Sequence, residues 1–178
     1  SWKRLLSRTI GNSATALQME KARPWIVFAD DCGFGSILIR RLKAAGQKVV
    51  SVRAGRSFQS LGPHTFIIEA GNSQHYDMFN SSLKPNQALP ERIVHAWSGT
   101  DKHLAPPEGD GFAQSQALGF YSLLFLDTAL ATHNVGHEIN LFALSNNIQD
   151  VFGTETLCPE KSTLLGPCMV IRQEYPNI

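Results

Sequence analysis

Trp25-Ile-Val-Phe-Ala29, running into Asp30-Asp31-Cys32-Gly33-Phe34-Gly35 and then Ser36-Ile-Leu-Ile-Arg40-Arg-Leu-Lys43, is the stretch that decides the fold. An apolar run, a glycine turn and a pattern with apolar side chains at helical spacing make a strand, a tight turn and a helix ended by Gly46. In an open parallel sheet such a unit sits at the centre. Its turn lies at the carboxyl edge, where a dinucleotide pyrophosphate would meet the helix N-terminus. That chemistry calls for three glycines: one for the turn, one for close approach of the backbone to phosphate, one for helix-to-strand packing. Gly33 and Gly35 fill two positions, the third is Leu38, and Asp30 and Asp31 place negative charge where a phosphate would come. The turn therefore reads as degenerate, a structural βα turn rather than a cofactor site.

Working outward, Lys48-Val-Val-Ser-Val-Arg53 is expected to be the second strand, joined to the first by a right-handed crossover. At its end Arg53 and Arg56 imitate the basic residues that receive a 2′-phosphate, but with the first turn degraded they read as surface arginines. His64 to Glu69 reads as a third strand, and residues 74–83 as a helix with Tyr76, Phe79 and Leu83 on one face. Arg92-Ile-Val-His-Ala-Trp97 is the fourth strand, in which His95 is expected to be packed and hydrogen-bonded rather than a base. A Pro- and Gly-containing excursion over 102–111 precedes a long apolar helix over 112–131, whose breadth of apolar face implies burial on more than one side. Glu138 to Ser145 is the fifth strand, and residues 160–175 read as a helix that tolerates or kinks at Pro167.

The expectation is one Rossmann-like α/β unit over 1–178: a mostly parallel sheet of about five strands with helices on both faces, degenerate and truncated. Residues 1–23 form an entry arm and loop, and 24–178 the core. The 178-residue length, 43% apolar content and 17% charged content suit a single globular core. A net charge of +1 without a basic cluster argues against a nucleic-acid or anionic-membrane surface. No apolar run reaches the length of a membrane span and no signal-peptide core is evident, so a cytoplasmic location is expected. Cys32, Cys158 and Cys168 are too scattered for a disulfide framework and read as buried thiols. His133 and His137 have helical ligand spacing, but Gly136 and the lack of an acidic third ligand leave no metal site expected.

The last forty residues carry a resemblance. The run from Leu157 to Gly166 looks like the helix bearing Tyr-x-x-x-Lys in short-chain dehydrogenases, with Lys161 at the lysine position, Leu157 at the tyrosine position and Ser145 as a remnant of the substrate-bonding serine. No aliphatic side chain can donate the proton that the phenol supplies. The whole chain resembles the N-terminal structural subdomain of the ketoreductase region in modular polyketide synthases. The matching pieces are Ser1-Trp-Lys-Arg4, Trp25 to Asp30, Arg92 to Trp97, Gly119-Phe-Tyr-Ser-Leu-Leu-Phe125 and the Cys158-Pro-Glu-Lys, Gly166-Pro-Cys and Gln173-Glu-Tyr-Pro-Asn177 run. The resemblance implies a non-catalytic unit with no catalytic residue and no cofactor of its own. It implies NADPH in an adjoining catalytic half of the same polypeptide, and indirect contact with the acyl carrier protein and other synthase domains. The chain, which does not begin with Met, is then a segment of a longer protein. A divergent NAD(P)-dependent reductase using Lys161 and Ser145, and a nucleotide-binding module using Arg53 and Arg56, stand as alternatives.

Overall fold

The computed structural model describes residues 24–83, 90–101, 110–133 and 138–178. Six strands form one sheet in the order β3-β4-β2-β1-β5-β6. They are β1 (Trp25–Ala29), β2 (Val49–Ala54), β3 (Gln59–Gly62), β4 (Thr65–Ile68), β5 (Arg92–Ser98) and β6 (Asn140–Ser145). All neighbours run parallel except β3 and β4, which pair antiparallel. The order reverses beside β1: the chain moves outward through β2 and β4, then returns to lay β5 against the other side of β1. Strand β5 is buried along nearly its whole length, as befits a parallel strand covered on both faces.

Alternation along the strands sorts the helices. Ile26, Phe28, Val50, Val52 and Ile93 face Tyr76 and Phe79 of α2 (Ser73–Ser82) and Leu126, Ala129 and Leu130 of α4 (Ser122–His133). Phe28 sets the geometry of this face, edge-on to Trp97 at 5.0 Å and to Phe79 at 6.0 Å. Val27, Val49 and Val94 point the other way and pack against Leu38, Ile39 and Leu42 of α1 (Phe34–Ala44). Helix α3 (Asp110–Gln116) runs into α4 through a π-helical turn, Ala117–Tyr121. A 3₁₀ turn (Pro159–Leu164) leads into α5 (Leu165–Glu174), whose Ile171 joins Leu164 against Leu123 of α4.

The α/β class, the parallel centre and helices on both faces are as the sequence implies; four details differ. The sheet has a sixth strand, β3, because Gln59-Ser-Leu-Gly62 is polar and exposed, lies at the edge, and pairs by its backbone rather than by an apolar face. The long helix starts earlier, at Asp110, within the expected excursion, and is broken into α3 and α4 by the π turn. It is buried on more than one side as expected, Leu126, Ala129 and Leu130 against the sheet and Leu123 against Leu164 and Ile171, while Phe112, Tyr121 and Leu124 are exposed. The expected helix over 160–175 is a 3₁₀ turn followed by α5, with Pro167 in the first helical turn, where its missing N–H costs nothing. The thiols are not buried: Cys32 and Cys168 are exposed and Cys158 is half-buried. The entry arm and the loop over 84–89 lie outside the described residues.

Asp127 gives the fold a pH dependence. Its side chain is buried on α4, and its Oδ1 has no hydrogen-bond partner among the described residues. Burial, and then the negative charge of Glu174 on α5, push its carboxyl up to about 6. Because the folded value lies above the unfolded one of about 3.9, this group's stabilising contribution is complete below the unfolded value and lost as pH rises through about 6. Asp127 opposes His95, whose burial holds its folded pKa at about 3 and so makes stability rise with pH up to its unfolded value. Asp127→Asn is therefore expected to make the melting temperature followed by circular dichroism climb more steeply between about pH 4 and pH 7 than in the parent chain. An unchanged slope in the variant would assign the pH dependence elsewhere.

Candidate functional site

The turn after β1 is built around one carboxylate. Gly33 takes a left-handed conformation, φ 98°, which lets the chain leave β1 and enter α1 at once. Gly35 is required for space: a Cβ there would lie 2.7 Å from the Ala29 Cα and 2.8 Å from its Cβ. Asp30, itself buried, turns back over the helix start. Its Oδ2 accepts from the Phe34 amide at 3.1 Å, and its Oδ1 accepts from the Gly35 amide. The Cys32 thiol donates to Oδ2, and burial, then this bond and the Asp30 charge, raise the Cys32 pKa and suppress its thiolate. The N-terminal amides of α1, which attract anions by their orientation and the helix dipole, are thus occupied by an anion of the chain itself.

Beside this turn a cleft of about 270 Å³ opens at the carboxyl edge, lined by Asp30, Cys32, Phe34, Ala96, Gly99, Leu144, Ser145 and Asn146. Behind it three segments are tied together. Lys161 Nζ donates to Thr100 Oγ1 at 2.6 Å and to Asn146 Oδ1 at 2.7 Å, while Asn146 Nδ2 donates to the Thr100 carbonyl at 2.7 Å. Burial pulls the Lys161 pKa below its ordinary value, opposed by the neighbouring Cys158, Glu160 and Cys32. The Ser145 and Ser98 hydroxyls lie 2.9 Å apart, joining the ends of β6 and β5. Ser145 and Lys161 therefore converge on one end of the sheet, Lys161 as a staple between loops. Leu157 is exposed and aliphatic.

A second cleft, about 360 Å³, lies on the other side of the turn and includes Asp31, Gly55, Arg56, Glu69, Gly71, Gln114 and Ala117 in its lining. Arg56 shares it with two carboxylates, and Arg53 is exposed at the end of β2. His95 is packed against Phe28 and Trp97, its Nε2 2.9 Å from Ser122 Oγ, and burial pushes its pKa down to about 3. The π turn makes this contact possible, for it rotates Ser122 inward while its hydroxyl meets the Leu118 carbonyl at 2.8 Å. Among the described residues no group of three or more potential metal ligands occurs. His133 ends α4, and His137 lies outside the described residues. Thr100, Asn146 and Ser98 are site residues that sequence reasoning did not single out. The only signal for them is the polar turn chemistry of Leu144-Ser-Asn-Asn147 and Ser98-Gly-Thr100.

With this geometry in view, residues 25–153 match the family model described as beta-ketoacyl synthase-like, N-terminal. The chain belongs to that family. Its fold is similar to that of an adenylation, ketoreductase and pseudo Asub multidomain structure of a keto acid-selecting NRPS module, with 24% identity and a TM-score of 0.76 over 88% of this chain and 13% of that one. It is also similar to an N-terminal ketoreductase from a macrolactin assembly line, with 18% identity and a TM-score of 0.59 over 70% of this chain and 25% of that one. A short-chain dehydrogenase/reductase from Serratia marcescens shares the fold at 16% identity and TM-score 0.56, over 82% of this chain and 69% of that one. Comparison with curated proteins finds no match. The chain spans only 13% and 25% of the length of the first two of these neighbours, and its fold is the Rossmann-like one expected from the β1 turn.

Two glycine substitutions separate the demands of that turn. Gly35→Ala forces β1 and α1 apart and is expected to destabilise by about 1–3 kcal/mol or more, as overpacking does. Gly33→Ala meets open space and pays only for its positive φ, roughly 1–2 kcal/mol. Urea denaturation of both variants gives the order; a more stable Gly35→Ala would refute the contact.

Proposed function

We propose that the chain is a non-catalytic structural unit of a polyketide synthase module, supporting an adjoining NADPH-dependent β-ketoacyl reductase half and binding no nicotinamide cofactor itself. The observation that carries this reading is the Asp30 carboxylate on the amides of Phe34 and Gly35. A pyrophosphate entering there would have to displace a bonded carboxylate, and like charges at hydrogen-bond range repel. Leu157, at the position of the reductase tyrosine, has no proton to give. The short span of the multidomain neighbours that the chain covers fits a part rather than a whole enzyme. Surfaces built to be covered also support the reading. Phe112, Tyr121 and Leu124 are exposed on α3, the π turn and α4, and the outer edge of β6, with Phe142 exposed on it, pairs with no further strand among the described residues. No helix among the described residues is long and apolar enough to cross a membrane, which accords with a synthase module in the cytoplasm.

A second reading, a divergent reductase, is favoured by Ser145 and Asn146 lining one cleft with Lys161 bonded to Asn146 behind it. Calorimetric titration with NADPH decides between the two. The structural reading expects a dissociation constant no tighter than about 1 mM, equivalent to roughly −4 kcal/mol. Saturable low-micromolar binding would overturn it. A polypeptide that joins the chain to its reductase half is expected to melt several degrees above the 178-residue chain, because a few hundred Å² of newly buried apolar surface, at about 25 cal/mol per Å², is large against a domain's net stability. Equal melting temperatures would refute the supporting role.

A further inference from the structure

The loop after β6 holds two apolar side chains out in water and spends hydrogen bonds to do so. The Glu155 carboxylate accepts from the amides of Val151 at 3.2 Å, Phe152 at 3.0 Å and Thr154 at 3.1 Å, and Asp150 Oδ1 accepts from Gly153 at 2.6 Å, with Gly153 at φ 81°. The loop is thereby fixed with Val151 71% and Phe152 85% exposed. A backbone organised this tightly around an exposed aromatic presents an anchor of the kind that dominates protein interfaces. Two carboxylates, Asp150 and Glu155, flank it.

The chain also carries a surface of the complementary kind. On α1, Phe34 and Ile37 are 48% and 46% exposed, and Phe34, Ile37 and Arg41 follow one face at i, i+3 and i+7. Arg40 and Arg41, both exposed, border that apolar strip with positive charge. The start of α1 and the end of β6 lie at the same edge of the sheet, since Phe34, Ser145 and Asn146 line one cleft. An acidic apolar knob and a basic apolar strip at one edge are what a two-fold pairing needs, because each copy then offers its knob to the other's strip. We propose that this chain pairs with a second copy of itself, Val151 and Phe152 of one copy seated on Phe34 and Ile37 of the other, with Asp150 and Glu155 opposite Arg40 and Arg41. The pairing uses none of the exposed side chains of α3, α4 and the β6 edge that a reductase half would cover.

Two small apolar contacts bordered by screened charges make a weak association, with a dissociation constant between roughly 10 and 500 μM, equivalent to about 4.5–7 kcal/mol. Salt should weaken it several-fold between about 50 and 500 mM by screening its exposed charges. Sedimentation velocity of the 178-residue chain over a concentration series is the measurement. Phe152→Ser and Arg41→Glu, both at exposed positions, are each expected to raise the dissociation constant at least about tenfold, with melting curves unchanged. Mixing the two variants should recover part of the association, because a mixed pair keeps one intact knob on one intact strip while either variant alone keeps none. A chain that stays monomeric up to about 1 mM in low salt overturns the proposal, as does a dimer that ignores both substitutions. Growth to trimers and beyond overturns the reciprocal pairing.

Discussion

The Asp30 carboxylate on the first amides of α1 is the interaction on which the rest of the carboxyl edge depends. It ends β1, starts α1 and holds Cys32 in a single contact set. It also explains how a glycine turn persists without a phosphate. Gly33 is demanded by the left-handed φ and Gly35 by the 2.7 Å approach to Ala29, and both demands come from the chain's own packing. A third glycine would serve closer helix-to-strand packing, but Leu38 stands there and fills the α1 side of the sheet with Val27 and Val94. Two glycines of a nucleotide fingerprint are therefore what a β1–α1 joint needs for folding alone.

The parallel centre of the sheet was legible because its strands are short apolar runs separated by helical periodicity, and β1, β2, β4, β5 and β6 all fall on runs readable in that way. Strand β3 was not, since a polar edge strand is held by ladder hydrogen bonds that leave no side-chain pattern. The broken helix was hidden for another reason. A π turn needs one extra residue per turn at a point chosen by tertiary contacts, here Ser122 reaching His95 and Gly119 lying beside Leu164, and neither contact has a local signature. The exposed thiols were misread because a small cysteine usually goes to the core, whereas Cys32 sits in a turn where its bond to Asp30 decides its place.

Of the site, the residues of the first turn could be read from spacing, whereas Ser145, Leu157 and Lys161 were singled out by the resemblance to the Tyr-x-x-x-Lys helix. What they do could be read from neither. Lys161 reaches Asn146, fifteen positions earlier, and Thr100, sixty-one positions earlier. Such long-range bonds are set by the order of strands, which brings the ends of β5 and β6 side by side. Those bonds make the lysine a tie between three segments, the ends of β5 and β6 and its own 3₁₀ turn. Burial of its ammonium adds a cost that only well-placed acceptors offset.

The exposed apolar groups divide between the two faces of the sheet, and that division constrains any assembly. Helices α2 and α4 cover the face carrying Phe28 and Val52, whereas α1 covers the face carrying Val27 and Val94. Phe112, Tyr121 and Leu124 belong to the first side, and Phe34 and Ile37 to the second. A single flat partner cannot cover both, because the sheet stands between them. If each surface is covered by a separate contact with no shared residue, their stabilising effects should add, as independent sites do. Bodies docked on these two surfaces would stand on opposite sides of the sheet.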